Sequence, residues 1–393
     1  REIIPAALGT HRVNAFLYHG YRADVGTVDS FYDANMLLTR DWTTPELEAL
    51  MAVAGRFAGL DYAGRSTALF RDELGWALFF DQSTRTKSAW AGACARLGLA
   101  PVIVDGGSTQ VSHGETAVET GAMLGMNSHA LGVRHDMIIG EGNSFMRDVA
   151  QGIDAYLAAV QDPRRVPVVN LQCDIDHPTQ SMADLMWMRE CNPGGLKGKK
   201  IAISWAYSPS YAKPLSVAQG CSMLFTRFGA EVVLAHPEGY HLMPDTMEFA
   251  HASAKASGGS FRVTNSMDDA FAGADIVYPK SWGPYDLMLA RVAANRAKDK
   301  AKLAELEQAA LAGNARHKDW ICDERRMGLT KGGAALYMHP LPADIGDEVS
   351  HGVMRQHSVN VARQAQYKMY VIMALLAVAK APDLAKRLEA LAK

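Results

Sequence analysis

Three short segments carry side chains suited to holding an oxyanion. Residues 81–86 read Asp81-Gln82-Ser83-Thr84-Arg85-Thr86. The hydroxyls of Ser83, Thr84 and Thr86 fit a helix start, where free backbone N–H groups and the helix dipole favour a phosphate. Arg85 adds a planar, two-pronged donor that stays charged. The second segment is Arg134-His135 and the third is His177-Pro178-Thr179-Gln180. Taken singly, each is an ordinary helix cap or turn. Together they offer cations and hydrogen-bond donors that could converge on one phosphate. A polar, glycine-bearing loop over residues 106–116 holds Gln110 and His113. By itself it is only a flexible loop.

The donor segments follow short apolar runs rich in β-branched and aromatic residues, the pattern of buried strands. In the first half these runs cover 76–80, 101–104, 130–133 and 166–171, with helices expected over 86–97, 115–124, 145–160 and 179–189. Strand followed by helix, repeated, predicts a parallel sheet whose strand ends share one edge. The turn Asn192-Pro193-Gly194-Gly195 interrupts the rhythm. It resumes with strands expected at 200–205, 231–235, 261–263, 275–278 and 335–338. The expected fold class is α/β, with two doubly wound parallel-sheet domains and a ligand cleft between them. The first spans 1–190 and is joined by a C-terminal helical segment, 359–393; the second spans 196–358. Residues 291–316 read as a solvated surface helix, and the apolar run 371–379 as a buried one. That run falls well short of the roughly 20 residues a membrane span needs.

A chain of 393 residues with a formal net charge of -2 has no broad basic footprint for nucleic acid, so anion recognition rests on a few placed residues. The 5 cysteines are widely spaced without a CxxC pair, which fits a reducing compartment. The first residues lack the basic-then-apolar progression of a signal peptide, and the expected location is cytoplasmic. His236 and His241 have no carboxylate or Cys at ligand spacing, and no metal or cofactor is expected. A nucleotide-dependent oxidoreductase would share the architecture, but the stretch from Gly140 to Phe145 lacks the third glycine of a dinucleotide loop.

The run from Phe80 to Thr86 resembles the carbamoyl-phosphate signature of aspartate and ornithine carbamoyltransferases, in which Ser-Thr-Arg-Thr follows a Phe-acid start. Arg134, His177-Pro178-Thr179-Gln180 and Met338-His339-Pro340-Leu341-Pro342 are similar to that family's further motifs, in its order. The resemblance implies that Ser83, Thr84, Arg85, Thr86 and Arg134 hold the phosphate. It implies that His177 and Gln180 bind the carbamoyl end, with His177 polarising its oxygen, and that Leu341 and Pro342 offer backbone carbonyls to the carbamoyl NH2. Arg85, Arg134 and His177 are the implied catalytic residues. In this family the loop matching Gln110 reaches into a neighbouring subunit's site, which implies a homotrimer with shared active sites. His113 stands where some members carry a basic residue.

Two further stretches resemble the N-acetylornithine branch, whose chain is knotted. One is the proline-bearing loop from Ser204 to Leu215. The other is Lys280-Ser281-Trp282-Gly283, which the resemblance assigns to acceptor binding. Pro340 stands where ornithine enzymes have Cys, and Ala343 where many relatives have Arg, so the acceptor pocket departs from both well-known types. Glu348 falls near a lysine that is carboxylated in the N-acetylornithine branch, and Arg363 near a site arginine of ornithine enzymes. The expected function is transfer of a carbamoyl group between carbamoyl phosphate and the amine of a small, carboxylate-bearing acceptor, with the catabolic direction open. The alternative of another kind is a catalytically silent carbamoyl-phosphate-binding or assembly protein of the same fold.

Overall fold

The computed structural model describes residues 38–211 and 213–392. Strands β1 (Glu73–Phe79), β2 (Leu99–Asp105), β3 (Ala130–His135) and β4 (Val168–Cys173) form a parallel sheet in the order β2-β1-β3-β4. Strands β5 (Lys200–Ser204), β6 (Glu231–Ala235), β7 (Ser260–Thr264), β8 (Ile276–Pro279) and β9 (Leu336–Tyr337) form a second, in the order β7-β6-β5-β8-β9. Strands covered on both faces need apolar residues on both. β4 and β8 are accordingly buried throughout, while the edge strand β2 is half-exposed or exposed beyond Leu99.

The strand order fixes where a ligand can sit. In the first sheet the chain starts at β1, moves out to β2 and then crosses to β3 on the other side. In the second it starts at β5, moves out through β6 to β7 and crosses to β8. Each reversal opens a crevice beyond the strand ends, between β1 and β3 and between β5 and β8. The register places Phe79 beside Arg134, so the loop after β1 and the end of β3 face one crevice. A shift in the β3–β4 register falls between Val133 and Arg134. Bulges of this kind re-aim a side chain beside functional sites.

The helix Thr84–Leu97 is anchored on this sheet by Trp90, Ala93, Cys94 and Leu97, an apolar stripe at helical spacing. Trp90 packs so closely over Gly132 that a Cβ there would lie 2.9 Å from its ring. The helix Pro178–Cys191 lies between the sheets, touching β4 and the helices Ser216–Phe225 and His351–Lys380. Its burial on nearly all sides follows from that position.

All nine expected strands are present. The C-terminal helix begins at His351, ahead of the expected 359, and runs to Lys380; a separate helix, Leu384–Leu391, follows. The first of these packs on the helices Thr44–Tyr62, Thr84–Leu97 and Pro178–Cys191, returning the chain to the first sheet. Residues 371–379 are buried there. The surface helix expected over 291–316 is two helices, Tyr285–Arg296 and Lys300–Asn314, separated where Lys298 takes a φ of 53° and Asp299 caps the second by accepting from the Lys302 N–H at 2.9 Å. Among the described residues no helix is long and apolar enough to cross a membrane. The five cysteines are free.

Candidate active site

A cavity of about 170 Å³ opens where the two crevices face each other. Its first wall is the helix start after β1. Ser83 is the N-cap, its hydroxyl accepting from the Thr86 N–H at 3.2 Å. Ser83, Arg85 and Thr86 line the cavity together with Gln82. Thr84 is exposed and does not line it. Arg134 enters from the end of β3, and its terminal nitrogen pairs with Asp136 Oδ2 at 2.8 Å. No acid among the described residues forms an ion pair with Arg85. Burial and the nearby Arg134 both act against its charge and lower its pKa. Two guanidinium groups on one cavity, only Arg134 of them paired with a carboxylate, leave an unsatisfied positive field, which a phosphate would fill.

His177 and Gln180 come from the turn after β4 and the first turn of the helix Pro178–Cys191. Both are almost wholly buried. His177 Nδ1 is 3.3 Å from Thr179 Oγ1, and Nε2 is 3.3 Å from Lys368 Nζ. Burial, then Lys368 and Arg134, push the His177 pKa well down, so the ring is neutral at pH 7. Lys368 itself lies on the C-terminal helix, with Nζ also 3.3 Å from Thr86 Oγ1. Burial lowers its pKa to about 7, with Arg134 adding to the effect.

The opposite wall comes from the second sheet. Lys280 follows β8, its backbone N–H donating to Ser204 at the end of β5 at 2.8 Å. Lys213 and Pro214 arrive from the loop after β5, and Pro340, Leu341 and Pro342 from the loop after β9. The Gly283 N–H donates to the Lys213 carbonyl at 2.9 Å, tying the proline-bearing loop to the segment that carries Lys280. Leu341 has a φ of 53°, costly for a branched side chain, and its N–H is held by His339 Nδ1 at 2.9 Å. The Leu341–Pro342 peptide is cis.

Behind this wall lies Glu348, fully buried. Its Oε2 is 3.0 Å from Lys213 Nζ and 3.6 Å from His339 Nε2, and its Oε1 is 3.9 Å from Lys280 Nζ. The backbone N–H groups of Ser281 and Asp344 donate to it at 2.7 and 2.8 Å. Burial would raise its pKa, but Lys280, His339 and Lys213 hold it well below the usual carboxylate range. Burial lowers Lys280 to about 8, against the pull of Glu348. At neutral pH the cluster therefore holds a carboxylate between two lysines, and Lys280 Nζ remains on the cavity wall.

The remaining expected residues lie elsewhere. Ser281 and Trp282 are buried beneath the wall; the Trp282 indole N–H donates to the Tyr240 carbonyl at 2.8 Å, and its own carbonyl accepts from the Trp205 indole at 2.9 Å. Trp282 thus props Lys280 from behind. Gln110 and His113 sit on an exposed turn and do not line this cavity. Arg363 is on the outer face of its helix, paired with Glu190 at 3.0 Å.

Residues 34–190 match the carbamoyl-phosphate-binding domain of the aspartate/ornithine carbamoyltransferases, and residues 213–379 match that family's Asp/Orn-binding domain. The chain belongs to this family. Carbamoyl transfer is the reaction class of this carbamoyltransferase. It is 49% identical over 362 residues to a protein of Escherichia coli strain K12 named "Putative carbamoyltransferase YgeW", covering 90% of this chain and 91% of that one. The N-acetylornithine carbamoyltransferase of Xanthomonas campestris pv. campestris is 28% identical, with 87% and 96% covered. Among solved structures, an N-acetyl-L-ornithine transcarbamylase variant complexed with carbamyl phosphate and N-succinyl-L-norvaline superposes with a TM-score of 0.72 at 25% identity, covering 88% of this chain and 98% of that one.

The sequence reading of this carbamoyltransferase missed Lys368, Gln172 and Lys213 as cavity residues. Gln172, beside Arg134 in the β3–β4 register, donates from Nε2 to Ser216 Oγ at 2.9 Å and so bridges the two halves. Lys213 carried a signal, since it lies in the proline-bearing loop. Lys368 carried none beyond being a lysine four residues after a buried glutamine on an otherwise apolar helix face.

Proposed function

We propose that this carbamoyltransferase holds carbamoyl phosphate with its phosphate among Ser83, Arg85, Thr86, Arg134 and Lys368. The carbamoyl group then points toward His177, Gln180 and the Leu341-Pro342 carbonyls. The observation that carries the reading is the pair Arg85 and Lys368, buried or half-buried cations that face the cavity without an ion-pair partner among the described residues. A buried, unpaired cation is costly unless an anion joins it.

In the forward reaction a neutral amine attacks the carbamoyl carbon, the bond to the phosphate oxygen breaks, and phosphate leaves with the electron pair. The nitrogen's extra proton goes to phosphate or solvent. In reverse, a phosphate oxygen attacks a ureido carbon and frees the amine. Lys280 is the anchor for the acceptor's carboxylate, and the altered pocket at Pro340 and Ala343 supports an acceptor other than ornithine or aspartate. We take the carbamoyl-phosphate half to be residues 1–190 with the C-terminal helix, and the acceptor half to be 196–358. The second half follows the knotted course of the N-acetylornithine branch, a reading supported by the docking of the Lys213 loop against Gly283.

The test is a panel of diamino acids, acylated diamino acids, ureido acids and oxamate, assayed in both directions. Phosphate release that requires both substrates, with acceptor KM raised in Lys280→Ala, supports the reading. Efficient turnover of ornithine or aspartate would defeat the pocket argument, and binding without any turnover would favour a silent assembly protein. The exposed position of Gln110 supports a shared-site homotrimer. If Gln110 completes a neighbour's site, inactive Gln110→Ala and Arg85→Ala subunits regain activity when mixed in one trimer.

A further inference from the structure

We propose that Asp184 is a positioning residue: one buried carboxylate that fixes the amide of Gln180 and locks the segments bearing the site to one another. Asp184 has no exposed surface. Its Oδ1 accepts from Gln180 Nε2 and from Gln364 Nε2, each at 2.6 Å. Its Oδ2 accepts from the Tyr278 hydroxyl at 2.7 Å, with the Cys221 thiol at 3.9 Å. The three closer partners lead to different parts of the site. Gln180 lines the cavity, Tyr278 lies on β8 two residues before Lys280, and Gln364 lies one helical turn before Lys368. Gln364 also accepts the His339 N–H at 3.1 Å through Oε1, which connects Asp184 to the loop ending in Leu341 and Pro342.

The chemistry follows from the donor count. A carboxylate only accepts, so it compels both glutamines to turn their NH2 groups toward it. For Gln180 this leaves Oε1 as the atom free to accept an N–H from the carbamoyl group. An amide turned the other way would present NH2 to NH2 and repel the substrate. For Gln364 the same constraint frees Oε1 for the His339 backbone. The argument rests on the proposed carbamoyl role of Gln180, and a mutant cycle separates the two claims.

The experiment measures kcat and KM for carbamoyl phosphate in Asp184→Ala, Asp184→Asn, Gln180→Ala and the Asp184→Ala/Gln180→Ala double variant, with thermal midpoints recorded for each. Misplacing a substrate-facing group by about 1 Å costs on the order of 100-fold, the loss expected in kcat/KM for Asp184→Ala. Asn can keep its oxygen toward the glutamines and its NH2 toward the Tyr278 oxygen. Asp184→Asn should therefore recover most of that loss, staying within roughly fivefold of the parent, about one hydrogen bond's worth. In the double variant, removing Asp184 should add little to the loss caused by Gln180→Ala, because the two act as one unit. Additive losses, or an Asn variant as impaired as the Ala variant, would overturn the positioning role. Normal turnover in Gln180→Ala would instead remove the carbamoyl role of Gln180, and the proposal with it. If Asp184→Ala does not fold, Asp184→Asn decides: a loss equal to that of Gln180→Ala would show that charge, not orientation, is what matters.

Discussion

Lys368 should make anion binding pH-dependent in a range where an ordinary lysine is silent. In the unliganded cavity its pKa is about 7, lowered by burial and by the facing Arg134. A bound dianion 3 to 4 Å away would favour the charged form and raise that pKa, so binding takes up a proton. Affinity is then complete below about pH 7 and declines as the pH rises from there to the pKa of the bound state. At pH 8 roughly one empty site in ten carries the charge, which makes the decline about tenfold per pH unit, or about 1.4 kcal/mol. Sulfate is a suitable probe, because it stays a dianion throughout. Calorimetry from pH 6 to 9 at constant ionic strength should show the slope, and enthalpies in two buffers should show proton uptake. Lys280 titrates in the same cavity, at about 8. Lys368→Arg, which stays charged, should therefore leave only the limb that begins near pH 8. A flat profile in the parent, or an unchanged one in Lys368→Arg, would refute the reasoning.

Arg85→Ala should weaken carbamoyl-phosphate binding by about 2 to 5 kcal/mol, the cost of removing one member of a desolvated charge pair, with the thermal midpoint little changed; normal binding by calorimetry contradicts this. His177→Ala should lower kcat more than it raises the KM for carbamoyl phosphate, since a neutral donor aimed at a developing oxyanion acts mainly in the transition state. Equal effects on both constants, or none, would remove that role. Glu348→Gln should destabilise the fold by roughly 3 to 5 kcal/mol in urea unfolding, because it leaves buried Lys280 without its paired carboxylate, while half-buried Lys213 keeps its ion pair to Asp344 at 2.6 Å. The depressed Glu348 carboxyl contributes stability that is intact above the ordinary carboxylate range and is lost as the pH falls through its lowered value. The variant should accordingly show a shallower loss of stability in acid than the parent.

Why the sheets were legible and part of the site was not has a physical explanation. Parallel strands covered on both faces must be largely apolar on both, so β8 announces itself as an unbroken run, β5 as the run 201–203 between two polar ends, and β4 as a run broken only by the buried Asn170 and Gln172. The helix Thr44–Tyr62 went unread although Thr43 and Glu46 form a reciprocal cap at its start, because its apolar residues follow no sharp stripe. Residues at the strand ends, such as Arg85, Arg134, His177 and Lys280, could be placed because topology brings strand ends together. Lys368 could not. It lies five residues beyond Arg363, and five residues turn a helix by about 500°, which leaves the two side chains roughly 140° apart. Arg363 therefore faces Glu190 and the ring of Trp187 while Lys368 faces the cavity. A slip of one helical face separates a surface ion pair from a cation on the cavity wall, and the pattern of a single sequence gives no means of choosing between them. Glu348 falls only near a family position in the sequence. Its place in the cluster depends on a fold that brings residues from three separate loops, at 213, 280 and 339, around one carboxyl.

The helix His351–Lys380 follows both sheets in the sequence yet supplies Gln364 to the Asp184 cluster and Lys368 to the cavity. During synthesis, at about 5 to 20 residues per second, domains fold as they emerge from the ribosome. Both sheets of a growing chain could therefore be in place while the anion pocket still lacked one of its cations. A substrate stabilises a protein only in proportion to its binding to the folded form. A chain still being made therefore gains less from carbamoyl phosphate than the finished one. Full protection is reached when the last long helix docks and brings Lys368 to the cavity.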